Sequence, residues 1–273
     1  MKKEYNDYII APDLSNELLT DTVSIYDENN VKRKIKVIEE KPLTIFLNDQ
    51  EIITAMSIGD YPKYLALGFL YNQRIIFDKE DIKSVDFDED LNVVVVRTKK
   101  PTNYEVKAQK KIKTSGCAMG TIFGDIFDYF EKIKLPNCLV KSKDIFDLIK
   151  KINLTRSLYL DAGAIHGCIL CDFKKPLVYM EDVGRHNAVD KVAGWIFENE
   201  IDVSRKILYT TGRLTSEMII KTVMMGIPIL ISRSGFTAWG ARLATQSNLT
   251  LLGRTKGNRF SCLSGKERII FHK

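Results

Sequence analysis

Four stretches of the chain hold side chains whose type and spacing suit chemistry. In "KTSGCAMGTIF", which begins at Lys113, Cys117 stands among Ser115, Gly116, Ala118 and Gly120. These neighbours give its sulfur little to pack against, and a lysine-rich segment precedes it. Nearby positive charge favours the thiolate, which is the nucleophilic form of cysteine. The other three stretches are "EDVGRHN", "TGRLTS" and "SRSGFT". Each joins an arginine (Arg185, Arg213, Arg233) to glycine and to small hydroxyl or amide residues, among them Gly212, Ser216, Ser232 and Ser234. Each also stands where a strand gives way to a helix, so unpaired backbone N–H groups and a guanidinium fork face the same way. That is the composition of a phosphate or pyrophosphate site.

Around these loops the readings stay open. Asp182 and His186 flank Arg185 and either contact a base or leaving oxygen or serve as turn and N-cap residues. Asp190 and Lys191 fall near the first turn of the following helix, where Asp190 acts on the helix dipole. "HGCILC" sets His166, Cys168 and Cys171 close together, a combination reminiscent of zinc deaminases. The spacing argues against a metal, because no glutamate stands two residues after the histidine. In a strand, moreover, Cys171 points away from His166 and Cys168. His166 itself can still line the crevice. Cys138 and Cys262 read as packing residues, Cys262 in the edge-strand pattern "RFSCLSG".

The elements that position these groups follow from periodicity. "PLTIFLNDQEIITAM" predicts two strands about Asn48-Asp49, and "SVDFDEDLNVVVVRTKK" a second pair about Asp88 to Asp90. "YPKYLALGFLYNQ" between them has helical spacing, with Pro62 in a first turn. "TIFGDIFDYFEKI" and "SKDIFDLIKKI" predict amphipathic helices, the second capped by Ser142. From there strand, loop and helix alternate: "SLYLDAGAIHGCILCDF", "PLVYM", "KILYT", "PILIS" and "LTLLG" as strands, with "HNAVDKVAGWIFENE", "TSEMIIKTVMMG" and "TAWGARLATQSN" as helices. This predicts an α/β layer of mostly parallel strands, whose loops gather at one end of the sheet. The expected organisation is an α+β domain over 1–113, a cysteine loop and linking helix over 114–140, and an α/β core over 141–273.

Composition bounds the function. The 273 residues are 45% hydrophobic, enough for a substantial core. No apolar run reaches membrane-spanning length, and "MKKEYNDYII" lacks a signal-peptide core, so the chain reads as cytoplasmic with no membrane role. Five cysteines are an odd number in so long a chain, which favours reduced thiols. The net charge is +6, and the last 73 residues carry 12 basic against 3 acidic side chains. The C-terminal part therefore suits an anionic ligand or an acidic partner. The charge sits in loops at helix starts and not on a basic, aromatic-lined face, which argues against nucleic acid.

Long ordered motifs carry a resemblance. "YMEDVGRHNAVDKVAGW", "TTGRLTSEMIIKTVMMGIPILISRSGFTAWGARLATQSNLTLLG" and "TKGNRFSCLSG" resemble the formate dehydrogenase accessory sulfurtransferases, the FdhD family, as does the N-terminal "PLTIFLNDQEIITAMSIGDYPKYLALGFLYNQRII". The resemblance implies a cytidine-deaminase-like α/β core without zinc chemistry, with a smaller α+β N-terminal domain, usually paired as a homodimer. It implies a sulfur carrier that takes sulfur from a cysteine desulfurase as a persulfide on Cys117. The sulfur then passes to the molybdenum or tungsten of the bis(molybdopterin guanine dinucleotide) cofactor, for formate dehydrogenase. Many members carry C-x-x-C in that loop; here the second position is Gly120, so a one-cysteine relay is implied. Arg254, Thr255, Lys256, Gly257, Asn258 and Arg259 match the family's cofactor-contacting stretch, with Arg254 where an aromatic often follows Gly253. The alternative is a non-catalytic guanine-dinucleotide carrier or regulator, in which Cys117 is incidental.

Overall fold

The computed structural model describes residues 4–102, 104, 111–112, 122–123 and 126–271. An exposed antiparallel ribbon, β1 (Thr20–Tyr26) and β2 (Lys32–Ile38), comes first. It is followed by β3 (Lys41–Leu47) and β4 (Gln50–Ser57), which turn at Asn48 in the left-handed region. Helix α1 (Pro62–Asn72) opens with Pro62, whose missing N–H costs nothing at a helix start. The strands β5 (Ile82–Asp88) and β6 (Val93–Thr98) complete a four-stranded sheet in the order β4-β3-β6-β5. Every strand pair expected in this part is present. Leu43, Ile45, Leu47, Val94 and Val96 alternate toward α1 and build a core with Leu65, Phe69 and Leu70.

After the short strands β7 (Lys111–Ile112) and β8 (Ile122–Phe123) come α2 (Ile126–Lys132), β9 (Val140–Lys141) and α3 (Ser142–Asn153). Ser142 is a buried first residue of α3, with Lys141 at the cap position, so it does not cap the helix as its type suggests. The segment expected to be one long strand divides. Leu158–Ala162 is a short helix, α4, capped by Ser157. Gly163 and Ala164 take positive φ and end it, and β10 covers only His166–Cys171.

The second sheet holds six strands in the order β11-β10-β12-β13-β14-β15. The added strands are β11 (Pro176–Asp182), β12 (Ile207–Thr210), β13 (Ile229–Ser232), β14 (Thr250–Lys256) and β15 (Arg259–Ser264). A last short strand, β16 (Ile269–Ile270), pairs with β9. The only parallel pairs in the six-stranded sheet are β12–β13 and β13–β14. The expectation of a mostly parallel sheet is corrected here, and the reason lies in short turns. Asp172 accepts from the N–H groups of Lys174 and Lys175 and closes a hairpin between β10 and β11. Another hairpin, turning at Gly257, joins β14 to β15. Connections this short can only give antiparallel pairs.

Helices α5 (Arg185–Asn199), α6 (Ser216–Met224) and α7 (Ala238–Gln246) connect the parallel strands. One core lies between them and the sheet and includes Cys168, while Cys171 packs in the core of the opposite face. Helix α5 is buried over most of its circumference, because α1 covers the side turned from the sheet. Glycines make that crossing possible: a Cβ on Gly68 would stand 1.7 Å from the Asp190 carbonyl oxygen, and one on Gly194 1.9 Å from that of Tyr64. The N-terminal sheet is thus locked, through α1, to the helix that begins at Arg185.

Candidate functional site

The three arginine loops do meet. Ser232 Oγ, buried at the end of β13, donates to Gly212 O at 2.7 Å and accepts from Ser234 N at 2.9 Å. Leu214 and Phe236 form a parallel bridge, with Leu214 N donating to Gly235 O and Thr237 N to Leu214 O. Arg254 N donates to Ser234 O at 2.8 Å, which ties the β14–β15 hairpin to the same group. On the other flank, Thr211 Oγ1 accepts from Gly167 N at 3.0 Å and lies 3.3 Å from His166 Nδ1. Gly212 is held against Arg185: a Cβ there would come within 2.9 Å of the Arg185 Cβ. His166, Arg185, Gly212, Arg213, Ser232, Arg233, Ser234 and Arg254 therefore share one crevice end of the sheet.

Within it the arginines differ. Arg213, Arg233 and Arg254 are exposed. The Arg233 guanidinium sits 5.7 Å from the Tyr159 ring centre and its Nε donates to Tyr209 Oη at 3.4 Å. That of Arg254 sits 6.0 Å from the Phe236 ring centre. Stacking of this kind orients a guanidinium without neutralising it. Arg254 is also in the left-handed region, φ 54°, an uncommon conformation for a side chain of its size. Arg185 is mostly buried, its side chain 13% exposed, with Nη2 3.8 Å from Glu217 Oε2. Lys256, Gly257, Asn258 and Arg259 form the exposed hairpin tip, while Thr255 is buried and its Oγ1 has no hydrogen-bond partner among the described residues. Ser216 opens α6 and is buried, and its neighbour Thr215, at the cap position, also has a buried Oγ1 without a hydrogen-bond partner among the described residues. Burial, and then the charges of Arg185 and Arg213, hold the His166 imidazole below its usual range, so it is neutral near pH 7.

Two expected ligand contacts sit behind the crevice instead. The Asp182 carboxylate is fully buried and pairs with Lys191 Nζ at 2.7 Å. It also accepts from Ser57 Oγ, Asn187 Nδ2 and Gly184 N. His186 is 1% exposed, and its Nε2 lies 2.5 Å from Glu217 Oε2. Asp182 ends β11 and His186 lies in the first turn of α5; Ser57 of β4 packs on the first and Glu217 of α6 on the second. Asp190 is likewise no exposed dipole partner: buried, it pairs with Lys221 and accepts from Asn72 Nδ2. Lys191 joins Asp182 to Asp60 and donates to Glu181 O. Residue spacing does not mark Asp60, Glu217 or Lys221, which the fold packs against Lys191, His186 and Asp190 respectively. Their signal was an Asp190-Lys191 pair inside an otherwise apolar helix, which a buried ion network explains better than a solvated face.

Cys168 and Cys171 are buried thiols on opposite faces of the sheet, pushed up in pKa by desolvation. Among the described residues, no group of three or more His, Cys, Asp or Glu side chains is arranged to hold a metal. Cys117 lies outside the described residues. A separate cavity of about 690 Å³ opens between α1 and β5, lined by Tyr64, Leu67, Phe87 and Lys83 among others. It shares no residue with the loop crevice and has none of its converging arginines.

Comparison with known proteins adds the decisive observation: the model of the FdhD/NarQ family matches residues 38–270, which include all three loops and the hairpin. The chain belongs to the FdhD/NarQ family. A relative from Sulfurisphaera tokodaii, named sulfur carrier protein FdhD, is 36% identical over 239 residues, covering 86% of this chain and 91% of that one. A protein of the same name from Bacillus subtilis is 29% identical over 252 residues, covering 89% and 94%. The fold is shared with a crystal structure from Desulfotalea psychrophila, of a protein assigned as a formate dehydrogenase accessory protein. The TM-score is 0.76 at 28% identity, over 92% of this chain and 98% of that one. The α/β fold is thus shared with that accessory protein, and the two relatives by sequence are named sulfur carriers. No helix among the described residues is long and apolar enough to cross a membrane.

Proposed function

We propose that this FdhD-family protein carries sulfur on Cys117 and loads it onto the bis(molybdopterin guanine dinucleotide) cofactor of formate dehydrogenase. The Cys117 thiolate attacks the terminal sulfur of a cysteine desulfurase persulfide; the new S–S bond forms as the donor thiolate leaves. The reduced molybdenum or tungsten of the bound cofactor, a substrate here and not a resident group, then takes the terminal sulfur as sulfide; two electrons from the metal cleave the S–S bond, and Cys117 leaves as the thiolate. The protein acts in the cytoplasm as a homodimer, with the desulfurase and formate dehydrogenase as transient partners.

The observation that carries this reading is the convergence of three strand-to-helix loops with the β14–β15 hairpin, which supplies Arg213, Arg233, Arg254, Lys256 and Arg259 as exposed cations in one region. A bis-guanine dinucleotide has two pyrophosphates, and arginines at helix starts are suited to receive them. The stacked Arg233 and Arg254 are pre-oriented, which lowers the entropy lost on binding. His166, neutral at the crevice floor beside Thr211, is available as a hydrogen-bonding group. The names of the relatives support the sulfur-carrying part.

The test is to supply formate dehydrogenase with this protein or with its Cys117→Ala form in cells that lack their own accessory protein. The variant is expected to bind guanosine diphosphate as wild type does, yet to yield formate dehydrogenase without its terminal sulfur and without activity. Full activity with Cys117→Ala would leave only a non-catalytic carrier of the cofactor.

A further inference from the structure

The Arg185, His186 and Glu217 cluster has a geometry that neither the loop motif nor the family assignment explains. Glu217 lies in the first turn of α6, directly after the "TGRLTS" loop, and is 3% exposed. Its Oε2 is 2.5 Å from His186 Nε2 and 3.8 Å from Arg185 Nη2. Arg185 and His186 both belong to the start of α5, so one carboxylate links the first turns of two crevice helices. The charged groups around His186 are Glu217 and Lys221 from α6, Arg185 and Asp190 from its own helix, and His166 from β10. Of these, Lys221 and Asp190 are paired with each other. Burial holds the His186 imidazole below its usual range against the opposing pull of Glu217. The cluster thus sets the Glu217 carboxyl group between the His186 ring and the Arg185 guanidinium.

We infer that Glu217 is a positioning residue for the anion crevice, fixing the Arg185 guanidinium beside Gly212, and that this role rests on the phosphate-binding reading proposed above. The stem of Arg185 already packs against Gly212, where a Cβ would meet it at 2.9 Å. Its far end comes within 3.8 Å of the Glu217 carboxyl group through Nη2. A buried carboxylate beside an anion site has two effects of opposite sign. Its charge repels the anion, whereas its hold on the guanidinium pre-organises the donor. Replacing Glu217 by glutamine separates them: charge alone predicts tighter anion binding, and positioning predicts weaker binding.

The experiment is calorimetric titration of guanosine diphosphate into wild type, Glu217→Gln, Arg185→Lys and the double variant, with thermal unfolding to establish that each is folded. Glu217→Gln is expected to bind about fivefold more weakly or worse, although the site has become more positive. Arg185→Lys keeps the charge but loses the planar fork and is expected to show a similar loss. The double variant is expected to be no worse than Arg185→Lys alone, since both changes remove one interaction. Binding by folded Glu217→Gln as tight as wild type or tighter would overturn the inference, as would additive losses in the double variant. If Glu217→Gln fails to fold, Glu217→Asp keeps the charge and shortens the reach by one methylene. Wild-type affinity in that variant would also overturn the inference. Absence of any nucleotide binding by wild type would remove the crevice reading itself, an outcome distinct from a failure of Glu217 alone.

Discussion

Replacing Lys191 by methionine probes how the crevice is held from behind. The ammonium is fully buried and paired with two carboxylates, Asp60 on the approach to α1 and Asp182 at the end of β11. It also donates to Glu181 O at 3.0 Å. Methionine fills a similar volume but leaves both carboxylates buried and facing each other without a cation. Breaking a buried pair in this way costs roughly 3–5 kcal/mol. For a chain of this size each kcal/mol moves the melting temperature by about 2–4 °C, so a fall of roughly 6–20 °C is expected. The assay is urea and thermal unfolding at pH 7.5, with Lys191→Met/Asp60→Asn/Asp182→Asn as a control that recovers part of the loss. The pH dependence has a fixed sign. Burial draws the Lys191 ammonium down, but Asp182 and Asp60 outweigh it and hold the group above the ordinary lysine range. Its contribution is therefore complete below the unfolded lysine value of about 10.4 and disappears as pH rises through the folded value. The gap between wild type and variant should stay constant from neutral pH to about pH 10 and narrow only above it. A loss below about 1 kcal/mol, the scale of an exposed pair, would refute the reasoning.

Two further substitutions separate stability from binding. Gly68→Ala places a methyl 1.7 Å from the Asp190 carbonyl oxygen and must drive α1 and α5 apart. A destabilisation of about 3 kcal/mol or more is expected in urea unfolding, and a milder effect would mean that the helices part easily. Arg254→Gly should do the reverse, because glycine accepts the φ of 54° that arginine resists. Stability should stay within about 1 kcal/mol of wild type while guanosine diphosphate affinity falls by roughly tenfold, as calorimetry would register.

What periodicity and turn chemistry could reveal was local. The β3–β4 and β5–β6 hairpins, the helix begun by Pro62 and the three arginine loops are each written in fewer than twenty consecutive residues. Their meeting end was legible too, since loops after parallel strands must gather at one end of a sheet. Strand direction was not, because pairing β10 to β12 antiparallel depends on residues some forty positions apart. Neither was the depth of Asp182 and His186. Their types suit a ligand contact, and their burial depends on partners distant in sequence, Ser57 for Asp182 and Glu217 for His186. The short helix at Leu158–Ala162 escaped because its apolar run reads equally as strand. It is held instead by the distant Glu181 carboxylate, which accepts from Leu158 N and Tyr159 N.

The most direct test of sulfur carriage is intact-mass analysis of wild type and Cys117→Ala after incubation with a cysteine desulfurase and L-cysteine, with and without a reductant. Wild type should gain the mass of one sulfur that the reductant removes, and the variant should gain none. Equal gain by both forms, or no gain by either, would contradict a persulfide on Cys117 and leave a protein that binds the cofactor without carrying its sulfur.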